Sequence, residues 1–251
     1  MGVFVVTGAA SGIGLATAQR LYRAGHGVWC LDRDAGRLGA AFPELVGSGI
    51  RSLTVDVSDD VAMRAAFDVI GSKSDGRLNG LVNSAGVVPM GAFDDLSVAD
   101  WELAFRVNVI GSYLAIRYST PLLRSSGGGS IVNLASMAAK LAGPYTAPYN
   151  ASKAAVISLT RTAATCLAPS IRVNAVCPGV VSTPAYEMID ATLISLGAPS
   201  TLQSVARAAS APIGRPASSD EVATVIEFLL SEAAAYITGE DVNVTGGFVM
   251  H

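Results

Sequence analysis

Seven short apolar runs recur along the chain, each closing on Gly, Asp or Ser. They are VFVVTG at 3–8, VWCLD at 28–32, SLTVD at 52–56, GLVNSAG at 80–86, SIVNLAS at 130–136, RVNAVCPG at 172–179 and DVNVTGG at 241–247. Between them lie longer amphipathic stretches such as GLATAQRLYRAG, DDVAMRAAFDVIG and ADWELAFRVNVIGSYLAIRYSTPLLR. Strands separated by helices can pair side by side only in parallel, through right-handed crossovers. This rhythm predicts an α/β fold: a single-domain Rossmann-like doubly wound parallel sheet of about seven strands, with helices on both faces. A sheet covered on both sides explains why 51% of the residues are hydrophobic and only 15% charged. No composition break, linker or repeat divides the 251 residues.

The formal net charge of -3 gives no reason to expect nucleic acid or an anionic membrane as partner. No apolar run approaches the 18 or so residues that cross a bilayer. The chain enters a strand at once, with no cationic leader. Cys30, Cys166 and Cys177 lack metal or redox spacing and read as reduced, mostly buried side chains. A cytoplasmic protein that binds no metal and takes a small-molecule substrate is the expectation.

The first strand runs into TGAASGIG, where Gly8, Gly12 and Gly14 open a helix around Ser11 and Ile13. Glycines at such a turn let the backbone approach a pyrophosphate, which the helix N-terminus then meets with free N–H groups. The second strand ends at Asp32, placed to bind a ribose 2′-hydroxyl. A carboxylate there repels the 2′-phosphate of NADP, and the glycine loop offers no cation. Arg33 dissents, being able to reach such a phosphate. The balance favours NAD.

In PYNASKAAV, Tyr149 and Lys153 are four residues apart and share one helix face. A free tyrosine has a pKa of about 10 and is a poor base near neutrality. Lowering it by about 3 pH units needs roughly 4 kcal/mol, within reach of a lysine and a cationic cofactor together. Tyr149 then serves as general acid or base. Ser136 closes the fifth strand at the carboxyl edge, where ligands of such sheets bind, and its hydroxyl can hold a substrate oxygen. Asn108 stands mid-helix among Val107, Val109 and Ile110, an odd place for a residue that favours caps. His26 and His251 read as a helix-exit residue and a chain terminus.

Taken in order, these motifs resemble the short-chain dehydrogenase/reductase family over essentially the whole chain. The likeness rests on TGAASGIG, Asp32, DV at 56–57, NSAG at 83–86, Asn108, Ser136, YNASK at 149–153, PG at 178–179 and TGG at 245–247. The family commonly has NNAG and DGG where this chain has NSAG and TGG. The resemblance implies that Lys153 holds the nicotinamide ribose. It implies that Asn108 distorts its helix so that a main-chain carbonyl can hold a proton-relaying water. It places Asp56 and Val57 beside the adenine, and Asn83, Ala85 and Gly86 along the path to the ribose. Pro178, Gly179, Val181 and Thr183 fall beside the carboxamide and phosphates.

Residues 183–213, interrupted by Gly197 and Pro199, are too long for an ordinary connection and read as a substrate lid. No Lys or Arg occurs from Val173 to Ala206. Tyr186, Met188, Ile189, Leu193, Ile194 and Leu196 offer an apolar wall, faced by Val88, Met137, Ala139 and Tyr145. The expected reaction is alcohol dehydrogenase or carbonyl reductase chemistry on a small to medium neutral secondary alcohol or diol and its ketone. The runner-up is an NADPH-linked 3-oxoacyl carrier-protein reductase. An idle nucleotide sensor would not need the intact Ser, Tyr and Lys. Small residues on the helices at 98–124 and 149–168, among them Ala154, Ala155, Ala163 and Ala164, suit subunit contacts, and the resemblance implies a homotetramer.

Overall fold

The computed structural model describes residues 1–42 and 50–250. Seven strands form one parallel sheet: β1 Val3–Thr7, β2 Gly27–Asp32, β3 Ile50–Thr54, β4 Gly80–Asn83, β5 Gly129–Leu134, β6 Ile171–Pro178 and β7 Asp241–Val244. Their order is β3-β2-β1-β4-β5-β6-β7. The chain therefore reverses its direction of travel across the sheet between β1 and β4, the switch point where such sheets open a crevice at their carboxyl ends.

Strand residues alternate between two cores because successive side chains point to opposite faces. On one face Phe4, Val6, Val28, Cys30, Val132 and Val176 pack against α1 (Gly12–Arg23), α2 (Ala35–Ala41) and α9 (Ser219–Leu230). On the other, Val5, Trp29, Leu31, Ile131 and Val173 meet α3 (Asp60–Lys73), α5 (Gly111–Ser125) and α6 (Ala147–Leu167). Each fully buried Val or Leu contributes about 1.5–3 kcal/mol, so neither layer can be stripped without loss of the sheet.

The helix expected over 98–124 is not uniform. α4 (Val98–Ala104) runs into a π-helical segment, Phe105–Ile110, before α5 begins. After β6 come α7 (Pro184–Ser195), a 3₁₀ turn at Ser200–Leu202 and α8 (Ser204–Ala209), which together form the expected excursion. Cys30 and Cys177 are buried and free, while Cys166 is exposed. His26 packs edge-on to Phe4 at 4.9 Å and accepts the Gly2 N–H, and His251 lies outside the described residues. Among the described residues no helix is long and apolar enough to cross a membrane, and no His, Cys, Asp and Glu cluster could hold a metal.

Candidate active site

The glycine turn is built by close approach. Gly8 has φ +66°, and a Cβ there would stand 2.7 Å from the Ala85 nitrogen; one on Gly14 would lie 2.2 Å from the Gly8 carbonyl oxygen. No side chain fits at either place. Gly12 also has positive φ, with only Thr183 Cγ2 within 3.4 Å of such a Cβ, so the turn and the start of α7 face one another. Ser11 stands at the N-cap of α1 without a side-chain capping bond, which leaves first-turn N–H groups free to receive an anion. Ile13 is half-buried against the core. Thr7 Oγ1 accepts the N–H groups of Ser84 and Ala85 at 3.1 and 3.2 Å, tying β1 to the loop after β4.

Asp32 is fixed to this turn. Its carboxylate accepts the Ala10 N–H at 3.0 Å and the Asp34 N–H at 3.1 Å. Arg33 is exposed and lowers the Asp56 carboxyl electrostatically, after the larger opposing effect of burial and the stronger pull of the Ser58 bonds. Val57 is buried and so close to Gly111 that a Cβ there would meet it at 2.7 Å. These shapes suit a dinucleotide: an unobstructed glycine turn, a free helix N-terminus and a carboxylate beside them.

Asn83 closes β4 at the carboxyl edge with its side chain turned into the core. It is 3% exposed, and its amide donates to Asn133 Oδ1 at 2.9 Å. Asn133 in turn donates to Thr160 Oγ1 at 2.9 Å, so the two asparagines stitch β4 and β5 to α6. Strand alternation turns Asn83 into the covered layer, where its Oδ1 has no hydrogen-bond partner among the described residues. Gly86 is the residue that faces the site: a Cβ on it would lie 3.2 Å from Asn108 Oδ1 and 3.6 Å from Lys153 Nζ.

Ser136, Tyr149, Lys153 and Asn108 come together at the carboxyl ends of β4 and β5. Tyr149 lies beside Ser136, whose side chain favours the ionised phenol. Lys153 Nζ donates to the Leu134 carbonyl at 2.6 Å and lies 5.8 Å from the Tyr149 ring centroid. Asn108 uses its whole amide: Oδ1 accepts the Val87 N–H at 2.8 Å, while Nδ2 donates to the Val87 carbonyl at 3.0 Å and to Ser152 Oγ at 2.9 Å. It does so from within the π-helical segment, whose widened turn carries its side chain to the β4 loop. Its main-chain carbonyl accepts the Ser112 hydroxyl at 2.8 Å.

In the protein alone burial dominates the protonation of both groups. Burial raises the Tyr149 phenol, with the Ser136 hydrogen bond pulling the other way. Burial also pushes Lys153 down to about 8. Both groups lose water and gain no opposite charge, so desolvation outweighs the pull of Ser136 on the phenol. In the protein alone Tyr149 is a neutral acid rather than a poised phenolate.

Helical period turns Tyr186 and Leu193, seven residues apart on α7, toward the core and leaves Met188, Ile194 and Leu196 exposed, with Ile189 half-buried between. The Tyr186 hydroxyl donates to the Gly179 carbonyl at 2.8 Å, so it braces the turn after Pro178. Val181 is buried and bridges to Ala217, which leaves its backbone alone to meet a ligand. Thr183 caps α7 through the Tyr186 N–H. Val88, Ala139 and Tyr145 are half-buried, and the Tyr145 carbonyl accepts the Gly91 N–H at 3.0 Å, joining the two loops that flank the site. Met137 is 2% exposed and lines a cavity of about 100 Å³. Arg207 lines it too, one residue beyond the cation-free stretch and within the 183–213 segment. Sequence reasoning missed it by ending its count of cations at Ala206.

A parallel seven-stranded sheet with a glycine turn at its switch point defines a nucleotide-binding enzyme of the Rossmann type. The chain belongs to the short-chain dehydrogenase/reductase family, whose members are oxidoreductases that use nicotinamide cofactors. A family model described as enoyl-(acyl carrier protein) reductase matches residues 8–249. The chain is 36% identical over 251 residues to a cyclopentanol dehydrogenase of Comamonas sp. (strain NCIMB 9872), covering 98% of this chain and 96% of that one. It is 37% identical over 250 residues to a cis-4-hydroxycyclohexanecarboxylate dehydrogenase of Sinomonas cyclohexanicum, with 98% and 96% covered. Among solved structures, a short-chain type dehydrogenase/reductase from Mycobacterium ulcerans superposes with a TM-score of 0.88 at 31% identity, covering 98% and 89% of the two chains.

Proposed function

We propose that this protein is an NAD(H)-linked dehydrogenase that interconverts a compact secondary alcohol and its ketone, with Tyr149 as general acid and base. The observation that carries this reading is the meeting of Ser136, Tyr149 and Lys153 at the carboxyl edge of β5. When bound, the nicotinamide supplies or accepts the hydride. Gly8, Ser11, Gly12, Ile13 and Gly14 would hold its pyrophosphate, and Asp32 its adenosine ribose. Asp56, Val57, Ala85, Gly86, Gly179, Val181 and Thr183 would line the rest of its path, and Lys153 would hold the second ribose.

Ser136 Oγ holds the substrate oxygen next to the Tyr149 phenol. Burial keeps Tyr149 protonated in the protein alone, the state required to give a proton to a carbonyl oxygen during reduction. Oxidation requires the phenolate, which an added positive charge beside Lys153 favours. Asn108 positions Ser152 and the 86–88 loop around Lys153. The two cyclic-alcohol relatives, as their names describe them, support a secondary alcohol on a small ring. The Asp32 carboxylate, held by Ala10 and Asp34, supports NAD over NADP.

We propose a homotetramer as well, on the strength of exposed apolar side chains. Val98, Leu103, Ile110 and Tyr113 lie exposed along the α4–α5 helix, Phe228 on α9 and Tyr236 just before β7. Ala163 and Ala164 play no part in it, since both are buried against the chain's own core. The experiment is NADH or NADPH appearance with linear and cyclic secondary alcohols. Turnover with NAD and not NADP is expected; preference for NADP would remove Asp32 as the discriminator, and no turnover with either would remove the reading.

A further inference from the structure

The cavity beside Met137, lined also by Glu221, holds an arginine that has no ion-pair partner among the described residues. Its walls are largely apolar, from Met137, Val180, Ala208 and Phe248. Two arginines, Arg207 and Arg215, line it. Arg215 is answered by Glu221 through two bonds of 2.9 and 2.7 Å. Arg207 has no carboxylate within ion-pair distance among the described residues, although it is half-buried. Its Cζ lies 5.7 Å from the Phe248 ring centroid. An arginine stacked on an aromatic face keeps its N–H donors free for a planar anion.

The cavity's position ties it to the chemistry. Met137 directly follows Ser136, and Val180 directly follows Gly179, the carbonyl that Tyr186 braces. Tyr186 is near enough to Tyr149, Arg207 and Asp190 for each to act on its phenol, after the larger effect of burial. An unpaired guanidinium in apolar surroundings costs desolvation energy that a carboxylate returns through two parallel charge-assisted hydrogen bonds.

Resting on the dehydrogenase reading above, we infer that Arg207 recognises a carboxylate on the substrate, making this enzyme selective for hydroxy acids and oxo acids whose carbinol and carboxylate are separated by a short apolar frame. The neutral substrate expected from a cation-free lid loses its premise, because the lid is not free of cations.

The test uses the full-length protein loaded with NADH and two unreactive probes, cyclohexanecarboxylate and cyclohexanecarboxamide. Titration calorimetry is expected to show the acid binding at least about tenfold more tightly than the amide. Arg207→Met should bring that ratio near one, and Arg207→Lys should keep part of it. The same ratio is then read in kcat/KM for 3-hydroxycyclohexanecarboxylate against its amide, mainly through KM. An amide that binds the wild type as well as the acid overturns the inference without need of any variant. So does an unchanged ratio in Arg207→Met, or a loss confined to NADH binding. Turnover of cyclohexanol and the hydroxy amide but not the hydroxy acid sinks the role of Arg207 alone. Failure of every alcohol with NAD sinks the dehydrogenase reading beneath it.

Discussion

The nucleotide end and the lid end of the crevice are specified in different ways. At the nucleotide end, backbone atoms form the site. Gly8, Gly14 and the N–H groups of α1 stand where they do because no side chain fits between β1 and the β4 loop. At the lid, side chains do the work, and which of them face inward depends on how α7 and α8 are rotated against the sheet. Steric prohibition leaves a mark in the sequence, whereas helix rotation leaves only a period that several packings share.

Leu193→Ala against Met188→Ser sharpens this contrast most. Leu193 is 5% exposed and Met188 is 70% exposed, although both were expected to face substrate. Loss of the first should cost about 2–5 kcal/mol of stability in denaturant melts. The second should fall within about 0.5 kcal/mol. Equal costs would mean that α7 is rotated differently from the packing described.

Gly14→Ala tests the other region. A Cβ 2.2 Å from the Gly8 carbonyl forces the turn apart. The expected cost is on the order of 1–3 kcal/mol, read as weaker NADH binding in a fluorescence titration. Unchanged affinity would show that the turn tolerates a side chain and is not set by close approach.

Asp32→Ser keeps an oxygen near the Ala10 N–H and removes the negative charge. The ratio of kcat/KM with NADP to that with NAD should rise by at least about tenfold, or 1.4 kcal/mol. A ratio that does not move would transfer the discrimination to Arg33.

The smallest effect is a pH dependence. With Lys153 pushed down to about 8, the lysine is cationic below that pH and neutral above it. In ketone reduction, where Tyr149 is already protonated, kcat/KM should hold level up to about pH 8 and then fall. Lys153→Arg, which stays charged, should delay the fall. A profile that instead rises above pH 8 would exclude a cationic Lys153 from the step.

The order and alternation of the strands could be read because buried parallel strands require apolar runs, and the glycine turn because its positive φ angles require glycine. The Tyr149–Lys153 spacing could be read because four residues make one helical turn. The direction of the Tyr149 shift could not, since it depends on how much water burial removes from both groups. Nor could the place of Asn83, whose side chain crosses to Asn133 on a neighbouring strand, a partner 50 positions away in sequence. Asn108 signalled itself by standing in a helix it does not favour, and the π-helical segment accounts for the oddity. Arg207 carried no such mark: its meaning comes from Phe248, 41 residues further on, and from the absence of a carboxylate near it among the described residues.

The most direct test of the account is Tyr149→Phe, followed by both NADH binding and NAD-dependent oxidation of a cyclic secondary alcohol. Removing one hydroxyl should lower kcat by about 10²–10⁴-fold and leave the NADH affinity within a few-fold of wild type. A variant that still turns over within tenfold of wild type would contradict the assignment of Tyr149 as acid and base. A parallel collapse of NADH binding would assign the phenol to the architecture of the nucleotide site instead.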